Sequence, residues 1–363
     1  MIYWLHIQHL CFTPIIFFVS SSPCASVLPA EQMRHAWYEQ RTAAYNALYL
    51  LSKQFMTLNP VMTHTFPQQQ SDTRSSYIAE VEAWRKAHEE KLRAENGWLS
   101  LVGLHWLESG DNWLGSDVSN TIRLPSQAPA TLGVLRVDSD TSMPHLRFFP
   151  ATNVPVVVTR ADGSVVNLMV DSSHTLAFDD DRGSKPDIIS VGDISLFVVR
   201  RMTKAGMRFG VRVRDKASPA RMSFKGCVWF PVKPECRVRA RFHEYSVPKI
   251  IDIENVLGGI ERRSIVGRLE FTIQGKYCSL EVEKQGSKLF CNFRDGTSGT
   301  TTYPAGRFLY AELPSNGRTI LDFNKAENPP CAFVGFTTCP LPPRGNWLPV
   351  SIEAGEKIVP VIE

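Results

Sequence analysis

Residues 207–214 read MRFGVRVR and residues 237–242 read RVRARF. In the first, Arg208, Arg212 and Arg214 alternate with Phe209, Val211 and Val213; in the second, Arg237, Arg239 and Arg241 alternate with Val238, Ala240 and Phe242. Side chains two apart share a face of a strand, so each segment reads as a strand with one charged and one apolar face. The same pattern extends outward. Turn-forming sequences recur at 109–112, 161–163, 181–183, 295–296 and 315–317, with short β-branched runs such as 154–159, 194–199 and 320–323 between them. No helical period appears after residue 95. The body is therefore expected to be mainly β: two packed sandwich or barrel subdomains, over 97–193 and 194–363.

One helix precedes them. Over 77–95, Ile78, Val81, Trp84, His88 and Leu92 recur every three or four residues, and Glu82–Lys86 and Glu89–Arg93 are favourable i,i+4 pairs. Asn96 and Gly97 tolerate a left-handed C-cap. This segment, 77–96, reads as an amphipathic helix that docks on the body.

Residues 1–76 differ in composition. They hold four basic and three acidic residues, a charge density less than half that of the rest of the chain. The apolar run 10–19 resembles a secretory signal, but Pro14 interrupts it and no Lys or Arg precedes it. The segment is read as a dispensable, weakly ordered leader and linker, and the protein as cytoplasmic, with secretion the lesser alternative. No stretch is apolar for long enough to span a bilayer.

The chain has 363 residues, 43% hydrophobic and 21% charged, with a net charge of +4. That permits a substantial core and does not indicate a nucleic-acid binder. Residues 200–310 nevertheless carry 22 Lys and Arg against 10 Asp and Glu. Two readings stay open for the arginine strands: a solvated sheet face, or a surface for an anionic ligand. Eight cysteines without C-x-x-C spacing suit a reduced compartment, with a Cys331–Cys339 disulfide left open. His88, His105, His145, His174 and His243 are scattered, so no metal and no cofactor are expected. The nucleophile elbow, phosphate loop, dinucleotide fingerprint and H-E-x-x-H motifs are absent.

Polar residues of catalytic type crowd the C-terminal turns, within FRDGTSGTTTYPAGRFL (293–309), LDFNKAENPPCAF (321–333) and NWLPVSIEAGEK (346–357). Pro329 and Pro330 stiffen the backbone there. Asp295, Asp322, Asn324, Asn328 and Cys331 are the candidate catalytic groups: a carboxylate base, amide donors and a thiol nucleophile. Thr297, Tyr303, Arg307, Glu356 and Lys357 are the candidate substrate-binding groups. The same residues could equally form a structural network, with Arg307 paired to an aspartate.

Two resemblances follow from motifs. Residues 113–124, WLGSDVSNTIRL, followed by Pro125, resemble part of a forkhead-associated sandwich. The phosphothreonine-reading residues do not carry over: Ser116 stands where those domains have Arg. Secondly, Tyr77, Trp84–Arg85, GWLSLVGL (97–104), DFNKAENPPCAF, CPLPP (339–343) and AGEK (354–357) resemble the family called domain of unknown function 1684, over about 77–357. That family's common form has Arg at Lys325, Tyr at Glu327 and Arg at Trp347. The resemblance implies membership and no particular activity. Two functions are therefore carried forward: a hydrolase-like enzyme acting on a small anionic or polar metabolite, and a non-catalytic β-sandwich module that binds a ligand or partner. Whether the chain is an enzyme, and its oligomeric state, stay open.

Overall fold

The computed structural model describes residues 66–138, 145–168, 172–180 and 184–358. Most of the leader, and the turn at 181–183, lie outside these residues. The described residues from 72 onward form one body.

Helix α1 (Phe66–Arg93) starts earlier than its apolar period announces, and that period fixes which face is covered. Val81 and Leu92 are fully buried, while Trp84, Arg85, His88 and Glu89 are half-buried on the same side. The helix stops where Gly97 turns away with φ −73° and ψ 174°. Gly97 is thus extended rather than left-handed. It is glycine because a Cβ there would lie 2.4 Å from the Lys91 carbonyl.

Eleven strands follow: β1 (Leu101–Trp106), β2 (Gly110–Gly115), β3 (Ile122–Arg123), β4 (Gly133–Asp138), β5 (His145–Pro150), β6 (Val156–Thr159), β7 (Val165–Leu168), β8 (His174–Thr175), β9 (Ile188–Val191), β10 (Ile194–Thr203) and β11 (Gly206–Asp215). They form a six-stranded sheet, β1-β11-β10-β9-β6-β7, and a five-stranded sheet, β3-β2-β4-β5-β8. Leu114, Leu135 and Phe148 of one sheet share a core with Val158, Leu196, Val211 and Val213 of the other. Val211 and Val213 are the apolar half of the alternation in MRFGVRVR. Residues 193–194, expected as a subdomain boundary, sit instead in the β9–β10 hairpin of one continuous sheet. The sandwich continues through Asp215 because β10 and β11 pair in register along their length.

A short helix, α2 (Pro219–Ser223), is capped by Ser218 and leads to the second β layer. Strands β12 (Arg237–Glu254), β13 (Ile260–Ile273), β14 (Lys276–Gln285), β15 (Lys288–Phe293), β16 (Arg307–Glu312) and β17 (Arg318–Asp322) form an antiparallel sheet ordered β16-β15-β14-β13-β12-β17. Its edge strands β16 and β17 are successive in the chain and lie against each other, which nearly closes a barrel. Leu269, Leu280, Phe293, Leu309, Phe323 and Ile352 fill it. The final segment, 323–358, contains single 3-10 turns and no strand.

The two arginine rows do not adjoin, because β11 and β12 belong to different sheets. Arg237, Arg239 and Arg241 form an exposed row. On the sandwich, Arg212 is buried and donates to Thr338 Oγ1 at 3.1 Å, so the C-terminal segment covers part of that row. Among the described residues, no helix is long and apolar enough to cross a membrane.

Candidate functional site

The candidate residues of the C-terminal turns occupy several separate neighbourhoods. Arg307, at the start of β16, is 1% exposed. Its Nη2 donates to Asp295 Oδ2 at 2.8 Å and to the Ile352 carbonyl at 3.1 Å, its Nη1 donates to the Ala354 carbonyl, and the guanidinium lies over Phe293. Asp295 also accepts from the Thr297 amide and hydroxyl and from the Ile352 amide. This network is closed and buried, and it ties β15, β16 and the C-terminal segment together.

Asp322 and Asn324 form a second neighbourhood. Tyr77 Oη donates to Asp322 Oδ1 at 2.8 Å. Buried Asn324 donates to Tyr77 Oη and to the Lys233 carbonyl, and accepts from the Lys233 amide. The pair fastens α1 to the barrel. Burial, followed by the Asp322 bond and charge, pushes the Tyr77 hydroxyl pKa up, so it stays a donor. Tyr303 and Cys331 make a third, with Tyr303 Oη donating to the Cys331 carbonyl at 3.1 Å. Cys331 and Cys339 are free thiols that interact with each other. The Lys357 ammonium sits 4.6 Å from the Phe230 ring centre.

Asn328 and Glu356 belong to a fourth neighbourhood, which lies under α1. Three backbone segments run side by side here. Phe230 N donates to Gly355 O, Lys357 N to Val228 O, and Glu356 N to Ala326 O. Gly355 has φ +80°, and a Cβ there would lie 2.6 Å from the Ala326 carbonyl, so glycine is what lets these segments touch. The result places Cys227, Glu327 and Glu356 opposite His88 of α1. His88 Nδ1 lies 3.1 Å from Glu327 Oε2, and His88 Nε2 lies 3.8 Å from Glu356 Oε2. Trp84 stacks on the imidazole and Trp229 meets it edge-on. Glu89, one residue on, accepts from the Cys227 amide and from Trp229 Nε1.

Electrostatics set the properties of this cluster. Burial favours neutral His88, but the Glu327 hydrogen bond and the charges of Glu327, Glu356 and Glu89 outweigh it and raise the His88 pKa. Burial raises Glu356 as well, against the Asn328 amide that donates to its Oε2 at 2.7 Å and the charge of His88. Burial and then Glu356 push the Cys227 thiol far up. Two buried atoms, His88 Nε2 and Glu356 Oε1, have no hydrogen-bond partner.

The cluster opens into a cleft of about 890 Å³ between α1, β16, β17 and the 325–330 turn. His88, Glu327, Asn328 and Asp322 line it, with Trp84, Trp98 and Tyr310 as aromatic wall and Arg214 and Arg237 as cations. Lys91, Lys288 and Lys325 are also present, the last two paired with Glu312 and Glu80. Asp295, Thr297, Arg307, Tyr303 and Cys331 do not line this cleft. A second groove, of about 750 Å³, lies where β10 meets β13. Several of its charges pair with one another, as in Arg200–Asp180 and Arg262–Asp252, and among the described residues no group like His88, Cys227 and Glu356 borders it.

Sequence reasoning did not single out His88, Cys227, Glu327 or Trp84 for the site, whereas Arg214 and Arg237 belong to the arginine strands read as a possible anion surface. His88 stands in the helix's docking stripe and among the scattered histidines, and Trp84 in the stripe and the family motif, with no site role for either.

Residues 222–357 match the family model described as "Protein of unknown function (DUF1684)", which takes in α2, the barrel and the C-terminal segment. No curated protein matches. Among solved structures, the chain is similar to the solution NMR structure of an uncharacterized protein from gene locus rrnAC0354 of Haloarcula marismortui. The identity is 32%, the match covers 39% of this chain and 81% of that one, and the TM-score is 0.34.

Proposed function

This chain belongs to the family of proteins of unknown function DUF1684, and we propose that it is an enzyme of hydrolytic type acting on a small anionic or polar molecule held in the cleft beneath α1. The observation that carries the proposal is His88: a half-buried imidazole, bonded on Nδ1 by Glu327, with Nε2 directed towards Glu356 at the edge of a cleft. Glu327 orients the ring, which borders the cleft while its Nε2 lies buried beside Glu356. An imidazole so held can take a proton from an attacking water and return it to the leaving group.

The cleft walls suit the substrate class. Arg237 lies 5.3 Å over Tyr77, and Arg214 lies 4.5 Å over Phe197. Among the described residues, neither guanidinium has a hydrogen-bonded carboxylate, so both can meet a phosphate or carboxylate. Stacking preorganises them, and the tryptophans supply apolar surface for the rest of the molecule. In this reading Asn328 supports the cluster through Glu356, whereas Arg307, Asp295 and Thr297 hold the scaffold.

The test is thermal stability of the full chain against a panel of phosphorylated and carboxylated metabolites, since a ligand of the native state raises the melting temperature. At least one class should raise it, and Arg237→Ala should weaken that ligand about 10- to 100-fold, the worth of a charged hydrogen bond. A panel without effect, or an unchanged Arg237→Ala, would contradict the proposal. Binding without turnover would leave the cleft as the site of a non-catalytic module.

A further inference from the structure

We propose that His88, Cys227 and Glu356 form a mononuclear site for a divalent transition-metal ion of the zinc type. Their ligand atoms — an imidazole nitrogen, a thiol sulfur and a carboxylate oxygen — all lie within 4.8 Å of one another. Tetrahedral zinc, with bonds of about 2.0–2.3 Å, sets its ligand atoms about 3.3–3.8 Å apart. The 3.8 Å between His88 Nε2 and Glu356 Oε2 is a few tenths of an ångström wider than the about 3.3–3.4 Å of a nitrogen–oxygen pair on zinc, so a small side-chain shift closes the site.

Independent observations point to a missing occupant. Glu356 has no exposed side-chain surface, and its Oε1 has no hydrogen-bond partner. His88 Nε2 is likewise buried and unpartnered. Two such orphaned atoms beside a thiol leave unsatisfied polar groups that a bound cation would satisfy. The charge balance agrees. Glu89, Glu327 and Glu356 surround a single imidazole, with Arg85, which also meets Glu89 electrostatically, and Lys357 as the nearby cations. A dication would offset that excess and take Cys227 as thiolate, its proton passing to solvent.

The surroundings resemble those that support metal ligands elsewhere. Glu327 accepts from His88 Nδ1–H and so turns Nε2 towards the ion, and the Asn328 amide holds Glu356 Oε2. Three protein ligands leave a fourth position for water. Of the three ligands only His88 lines the cleft, so the ion would sit just beneath its wall. What the metal does there rests on the reading of the cleft as a reaction site; whether it binds does not. The donor mixture of nitrogen, sulfur and oxygen favours zinc over magnesium or calcium.

The test uses the full chain, loaded with Zn2+ or Co2+ and then dialysed. The wild type should retain about one metal per chain by elemental mass spectrometry, and the Co2+ form should show a thiolate-to-cobalt charge-transfer band. Cys227→Ser should abolish the band and weaken Zn2+ about 100-fold or more, and Glu327→Gln should keep the band while weakening Zn2+ about 10- to 100-fold. Should Cys227→Ser not fold, the wild type gives the same answer: Zn2+ should protect Cys227 from alkylation, as located by peptide mass. Sub-stoichiometric metal, a band that survives Cys227→Ser, or Cys227 alkylated equally with and without Zn2+ would overturn the proposal. Arg237→Ala should bind Zn2+ as the wild type does, so loss of ligand recognition in the cleft and loss of the metal are read separately.

Discussion

Arg307→Ala is expected to destabilise the protein by about 3–5 kcal/mol, the cost of breaking a buried ion pair by removing one partner. The size follows from what is left behind. Asp295 loses its only ion-pair partner among the described residues, while its side chain stays fully buried. The carbonyls of Ile352 and Ala354 lose their donors, and Phe293 loses the guanidinium above it. Each unsatisfied group costs about 1–3 kcal/mol, with partial relief from water entry and relaxation. Burial already works against the Arg307 charge and lowers its pKa, with Asp295 opposing the shift. The pair therefore specifies the arrangement of strands more than it stabilises it. Replacing both partners together, Arg307→Met with Asp295→Leu, should recover much of the loss, because no unpaired charge then remains. Urea denaturation reads both variants. A change below about 1 kcal/mol for Arg307→Ala, accompanied by loss of ligand binding, would instead make Arg307 a substrate-binding residue.

The other large effect is functional. His88→Ala should lower kcat/KM about 10²- to 10⁴-fold on substrates of the class that stabilises the protein, the usual contribution of a positioned proton-transfer group. The loss is expected whether a proton or a metal ion occupies Nε2, since the atom is removed in either case. Folding should survive, because Val81 and Leu92 still bury the helix stripe and Tyr77 still bonds Asp322. Turnover within about threefold of wild type, well short of one proton-transfer contribution, would remove His88 from the chemistry.

Much of the fold could be read from local periodicity. The alternation at 207–214 and 237–242 sets strands β11 and β12 with Val211, Val213 and Ala240 inward, and the 3.6-residue stripe sets α1. Periodicity is silent about partners. It could not say that β10 pairs with both β9 and β11, so residues 193–194 looked like a junction although they form a hairpin within one sheet. Nor could it say that Thr338 would reach back across more than a hundred residues to cover Arg201 and Arg212.

The candidate site was legible only in part, for a related reason. The crowding of Asp, Asn and Arg in the C-terminal turns is real, but density along the chain does not distinguish groups that satisfy one another from groups that face a cleft. Asp295, Thr297 and Arg307 satisfy one another. Asn328 and Glu356 border His88, a contact between residues 88 and 356 that no spacing rule anticipates. On α1, His88 occupies a position of the docking stripe, where imidazole and apolar side chains give the same periodic signal. Cys227 carries no motif at all. Its significance comes from the pairing of residues 227–230 with 355–357, set by long-range backbone hydrogen bonds.

The cleft under α1, bordered by His88, is the place proposed for this protein's ligand. The most direct measurement is a crystal structure of the full chain with the strongest stabiliser from the metabolite panel. The ligand's anionic group should lie on Arg237 or Arg214 and its remainder against Trp84, next to His88. Ligand seated instead in the groove between β10 and β13, against Arg200, Arg262 and Arg263, with the cleft under α1 unchanged, would contradict it.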